Sequence, residues 1–150
     1  MAREIEKDGT EWIGHLYVKA LEQDLSLFKW PEMNTIQDST ILLRSLAYHA
    51  AARYSKVVHD LELLALRHPK FTVSYVFTAS IEVRKERLKE RMQSGSKRVT
   101  ANDLKVLRDP EFFSRMEHAM VDYAQALFGA VVIDTSSMTV EEVANSISLH

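Results

Sequence analysis

The stretch FTVSYVFTASIEVRKERLKERMQSGSKR, Phe71 to Arg98, decides how the rest of the chain is read. Its first half, Thr72 to Thr78, is β-branched and aromatic and carries no charge. That composition predicts a strand buried on both faces. Ala79-Ser80 ends the strand, with Ser80 as an N-cap and Glu82 in the first turn behind it. From Ile81 to about Met92 the residues are Arg, Lys, Glu and Leu, all good helix formers. Ser94-Gly95-Ser96 breaks that helix, and Lys97 and Arg98 follow in a polar loop. A buried strand feeding a basic helix and a basic loop is one way to meet a phosphorylated ligand.

Working outward, 150 residues with 46% hydrophobic content predict one domain with a core of its own. The net charge is −2, so no overall basic field points to nucleic acid. The charge is uneven, however. Arg84 to Arg98 holds seven basic and two acidic residues, a surplus of five, which leaves −7 for the remainder. There is no cysteine, which excludes disulfides and thiolate metal sites and is compatible with a reducing cytoplasm. The opening MAREIEKDG lacks an apolar signal region, and no run approaches the roughly 20 residues of a membrane span. A soluble, cytoplasmic protein is expected.

Upstream, Asp8 with Glu11, or Thr10, opens an amphipathic helix to about Phe28. Its apolar stripe is Trp12, Ile13, Leu16, Ala20, Leu21, Leu25 and Phe28. Trp12, Tyr17 and Trp30 read as packing residues, with ligand stacking as the alternative. Pro31 ends the segment. Thr35 to Gln37 reads as a short parallel strand, with Asp38 or Ser39 at the turn into a helix built on Ile41, Leu42, Leu46 and Ala47. Arg44 and Tyr48 share a face of that helix. Ser55 caps the next helix, Lys56 to about Arg67, which His68-Pro69 stops.

Downstream, Asn102-Asp103 starts a short helical turn through Leu107. Asp109-Pro110-Glu111 is an N-terminus with Asp as cap and Pro at the first position. That helix runs to about Phe128, with Phe113, Met116, Met120, Tyr123, Ala124 and Leu127 as its stripe, and Gly129 ends it. Ala130 to Ile133 is a second buried strand, Asp134 to Ser137 its loop, and Thr139 with Glu142 a capping box for the last helix. The order is helix, strand, helices, strand, helices, strand, helix. It predicts an α/β fold: a parallel sheet flanked by helices, with ligands bound beyond the carboxyl ends of the strands.

Several of these pieces, in order, resemble the P-loop nucleoside and nucleotide kinases, the thymidylate kinase and deoxynucleoside kinase group. VSYVFTASIEVRKERLKER resembles that family's fourth strand, turn and Arg-x-x-x-Arg helix, and QSGSKR stands where its lid loop would be. DPEFFSRMEHAMVDYAQALFGAVVIDTSSMTVEEVANSI resembles the closing helix, last strand, adenine-side loop and terminal helix. IQDST resembles the end of the third strand. The resemblance covers residues 34–150. It implies a P-loop NTPase-like fold, incomplete at the N-terminus, a nucleoside or nucleotide as ligand, and ATP with Mg²⁺ as cofactors.

Two departures qualify what the resemblance implies. No G-x-x-x-x-G-K-[ST] occurs, since the only glycines are Gly9, Gly14, Gly95 and Gly129. Without that loop, most of the positioning and charge neutralisation of phosphoryl transfer is missing. The family's first, mid-sheet strand has no counterpart either. Either the chain is a fragment or mis-started frame of such a kinase, or it is a degenerate relative that binds without turnover, and the gap in the sheet would close by direct pairing of the flanking strands or through a homo-oligomer or partner chain. Second, Ser39 follows Asp38 where the family carries Arg, and Arg44 is the substitute.

The candidate site residues follow from both readings. Asp38 either accepts a proton from a substrate hydroxyl or orients Mg²⁺ through water, with a helix cap as the alternative to both. Arg87 and Arg91, four apart, either bind phosphate or belong to a solvated face laced with Glu86, Lys89 and Glu90. Arg98 is the lid candidate. Asp134, Thr135 and Ser136 form the nucleotide-side loop, with turn formation as the alternative for Asp134. The six histidines show no ligand spacing, so no metal site is expected of them. The competing class is a non-catalytic binding or scaffolding module whose basic helix and loop engage an anionic partner, nucleic acid being disfavoured by the overall acidity.

Overall fold

The computed structural model of the chain describes residues 2–95, 99 and 103–147, and the side chains of these from residue 11 onward except Lys105. The chain divides into two compact units, Met1–Phe71 and Thr72–His150.

The first unit is three helices: α1 (Ala2–Leu27), α2 (Ile41–Ala51) and α3 (Ser55–Ala65). Its core is the α2–α3 pair, where Leu42, Leu46, Val57 and Leu61 are fully buried. Two non-glycine residues with left-handed backbone bracket α2, Ser39 at φ 68° and Arg53 at φ 63°. The helix starts on Thr40, whose Oγ1 accepts the N–H of Leu43 at 3.0 Å. Neither Asp38 nor Ser39 is the cap. Tyr54, with no side-chain cap bond, precedes α3, so Ser55 is its first helical residue rather than its cap.

The stripe predicted for α1 faces inward at Leu21 and Leu25 and outward at its aromatic end. Among the side chains described from residue 11 onward, Gly14 and Leu21 are buried and Val18 and Leu25 half-buried, and the helix packs on α2 and α3. Trp12, Ile13, Leu16 and Tyr17 stand exposed, Trp12 at 63%. The reason is a close approach: a Cβ at Gly14 would lie 2.7 Å from Nε2 of His49 and 3.0 Å from Cγ1 of Val57. Only a residue without a side chain lets the backbones come that near.

The second unit runs β1 (Tyr75–Thr78), α4 (Ile81–Ser94), α5 (Lys105–Arg108), α6 (Pro110–Phe128), β2 (Val131–Asp134) and α7 (Val140–Ile147). Its helix ends form as their local chemistry dictates. Ser80 Oγ accepts the N–H of Val83 and Asp109 Oδ1 that of Phe112. Gly129, at φ 59°, closes α6 by donating to Gln125. Thr139 and Glu142 exchange the two bonds of a capping box.

The two strands pair in parallel, Tyr75 with Val131 through Thr78 with Asp134. The expected sheet flanked by helices is corrected here: the described residues are mostly helical and hold a single two-stranded parallel sheet. Thr35 to Gln37 forms no strand. Ile36 is 97% exposed, and the Thr35 hydroxyl bonds back to Met33 O at 3.0 Å, so nothing supplies the ladder a strand requires. Nor are the strands buried on both faces. The helix α6 packs on both of them, yet Val76 is the only buried residue of the two strands, and Phe77 and Val131 are each 46% exposed and Val132 37%. Two strands alone are too few for the cover that a parallel sheet needs on each face. No helix among the described residues is long and apolar enough to cross a membrane.

Gly14→Ala tests the seating of α1. At an open helix position this change gains about 1 kcal/mol. Here the new methyl meets a buried imidazole and a core valine, so a net loss of roughly 1–3 kcal/mol is expected, read as a lower midpoint in thermal or urea unfolding.

Candidate ligand cleft at the strand ends

The carboxyl ends of the parallel strands lie side by side because of the register, and two turns leave them together: Thr78-Ala79-Ser80 and Asp134-Thr135-Ser136. Thr135 is buried, and both of its donors go to one acceptor. Its N–H and its hydroxyl reach Thr78 O at 2.8 and 2.9 Å. Ser136 makes the second stitch: its Oγ accepts the N–H of Ser80 at 2.9 Å and donates to Asp134 Oδ1 at 2.6 Å. The N–H of Ser136 also donates to that carboxylate, at 2.9 Å. The Ser136 hydroxyl and, after it, the Ser136 N–H hold the exposed Asp134 carboxyl below its ordinary range.

Between these turns and α6 lies a cleft of about 360 Å³. Val121 and Val132 give it an apolar wall, and Glu117, His118, Asp122 and Asp134 bring polar groups to its rim. His118 donates from Nδ1 to Ser114 O, 2.8 Å away, because a carbonyl only accepts, and Nε2 of the neutral ring is left as an acceptor. No group of three or more His, Cys, Asp and Glu side chains among the described residues is arranged to hold a metal ion.

The arginines of α4 are drawn into this framework. Arg84 donates from Nε to Ala79 O at 2.9 Å, pairs with the Glu117 carboxylate, and lies over the Phe113 ring at 5.1 Å. Arg87 donates from Nη2 to Thr135 O at 2.6 Å and from Nη1 to Thr135 Oγ1 at 3.3 Å. Arg91 lies 3.5 Å from Asp103, an exposed pair of small energetic weight.

Set against family models, curated proteins and solved structures, the chain matches none of them. Its site is therefore described by its own residues.

Of the residues singled out in sequence, Arg87, Asp134, Thr135 and Ser136 come together at this end of the sheet, with Arg91 one turn along α4. Asp38 and Arg44 belong to the first unit, Asp38 in an irregular exposed segment and Arg44 on the exposed side of α2. Arg98 lies outside the described residues. The sequence reading passed over Glu117, His118, Val121 and Asp122. Their signal was the pair of i, i+4 spacings, Glu117 with Val121 and His118 with Asp122, beside the methionine stripe of the same helix.

Ser136→Ala removes the hydroxyl donor to Asp134 and the acceptor for the Ser80 N–H together. The Asp134 carboxyl is expected to titrate higher, back toward the ordinary carboxylate range, in a carbon-detected NMR pH series. An unchanged Asp134 titration would show that the stitch is absent in solution.

Proposed function

We propose that the chain binds a nucleoside, or the nucleoside part of a nucleotide, in the strand-end cleft, and that it transfers no phosphoryl group by itself. The observation that supports this reading is the stitched pair of turns at the carboxyl ends of the two parallel strands, which forms one side of the cleft. The cleft is near the lower end of the roughly 300–1,000 Å³ that small-molecule sites span, room for one base and sugar. Val121 and Val132 offer a flat apolar wall, while the rim carboxylates and the free nitrogen of His118 accept N–H and O–H donors.

The same lining counts against a phosphate inside the cleft. Asp122 and Asp134 are negative, and Arg84 already faces Glu117 while Arg87 is held by Thr135. The residues present do not fit ATP with Mg²⁺, because the phosphate-cradling loop is missing from the sequence and no carboxylate group is set to hold a metal among the described residues. Binding without turnover follows, and nucleic acid is not the expected partner. A cytoplasmic location belongs to the same reading, in keeping with the lack of cysteine.

The expected result is saturable shifts of the Thr78, Ser80, Val132 and Ser136 amide resonances on titration with nucleosides, and no release of ADP from ATP in a coupled assay. Steady turnover of ATP with a nucleoside or its monophosphate, or no shift at millimolar nucleoside, overturns the reading.

A second feature supports a partner chain that completes the sheet. Tyr75 to Thr78 and Val131 to Ile133 carry no charge, proline or bulge to protect an open edge, and Phe77 and Val131 expose apolar surface. Self-association is the simplest form of this. Light scattering at rising concentration should report a mass above that of one chain, and Phe77→Glu should return it to one chain.

A further inference from the structure

His49 stands on α2 at 4% exposure, where α1 and α3 both meet that helix. Its Nδ1 lies 2.7 Å from Ser45 O. A carbonyl oxygen only accepts, so Nδ1 holds the hydrogen of the neutral ring and Nε2 is bare. Nε2 is turned toward Gly14 of α1, since an ideal Cβ there would sit 2.7 Å from it, with Val57 Cγ1 of α3 beside the same spot. A second proton would therefore be placed on a nitrogen whose α1 side is a glycine, with a valine methyl beside it, neither of which accepts a hydrogen bond.

The charged surroundings offer no relief. Among the described side chains of α1, the titratable group that bears on His49 is His15, next in sequence to Gly14, and its Nδ1 is 3.7 Å from Asp60 of α3. That carboxylate is engaged by His15, and a protonated His15 repels a second imidazolium. The rings of Tyr48 and Tyr54 lie at centroid distances of 5.2 and 6.0 Å. Burial first, and His15 after it, hold His49 below the ordinary imidazole range, against the opposing pull of the Ser45 carbonyl.

We propose that His49 is a pH-sensitive latch: neutral, it lets Gly14 seat α1 on α2 and α3, and doubly protonated, it drives that turn of α1 off the seam. The sign follows from linkage. A group whose charged form is disfavoured in the folded state is protonated more readily once released, so α1 is held best above the ordinary imidazole range and loosens as pH falls through it. Among the side chains described from residue 11 onward, Gly14 and Leu21 are the buried residues of α1, so an uncompensated charge at Gly14 acts on one of its two closest contacts.

Amide exchange resolved by residue, corrected for the intrinsic pH dependence, tests this on the full chain. Protection of amides 14–21 should fall by about tenfold between about pH 7.5 and pH 5.5, while amides of α6 hold theirs. In His49→Gln the fall should vanish, and in His15→Gln it should persist. The proposal is overturned by constant protection in the unaltered chain, by a fall that survives in His49→Gln, or by one abolished in His15→Gln. Should His49→Gln fail to fold, imidazole titration of the unaltered chain decides: the native His49 resonance must titrate below the range in which protection is lost, and a His49 resonance that titrates in the ordinary imidazole range overturns the latch.

Discussion

One carbonyl oxygen, that of Thr78, joins the second unit together. A two-stranded ladder of four residues a side is marginal in water, and a parallel one more so, because its bonds are slanted and both faces want cover. Thr135 extends the ladder one residue beyond β2 and adds its hydroxyl to the same acceptor. Because Thr135 is fixed, Arg87 has a fixed oxygen to reach, and Ser136 arrives within reach of both the Ser80 N–H and the Asp134 carboxylate. The rim of the cleft is thus a by-product of closing the sheet.

That economy changes what the basic helix can do. Between Arg84 and Arg98 the charge surplus is large, yet two of its guanidinium groups are spent on carbonyl oxygens of the strand-end turns. Arg84 in addition offsets Glu117, a carboxylate supplied from a helix some thirty residues later in the chain. The cleft that results is edged by acids, and its chemistry is that of accepting hydrogen bonds from a ligand rather than of cradling an anion.

What the sequence disclosed is set by the range of the interactions involved. Ser80, Asp109 with Pro110, Gly129, and the Thr139–Glu142 box act within four or five residues, so residue type and spacing determine them, and each is found at its expected place. The two strands were legible from their β-branched runs. Their exposure was not, because cover depends on elements elsewhere in the chain, and the third strand failed for the same reason: Thr35 to Gln37 has a strand-like composition and no neighbour. In α1 the stripe was right at Leu21 and Leu25 and wrong at its aromatics, while the residue packed closest to His49 and Val57, Gly14, has no side chain to be counted. At the site, Asp134, Thr135 and Ser136 were visible as a polar loop after a strand, but the helix wall opposite them is a matter of tertiary packing.

The left-handed residues that bracket α2 bear on how this chain can change over generations. Ser39 and Arg53 hold backbone angles that cost an ordinary residue roughly 1–2 kcal/mol and glycine almost nothing. Drift toward glycine or asparagine at these two sites is open, and drift toward valine, isoleucine or threonine is closed. The helix between them supplies Leu42 and Leu46 to the core, so the strain is tolerated only while that core stays well packed. A lineage that erodes the α2–α3 contact would be expected to acquire a glycine at one of these turns first.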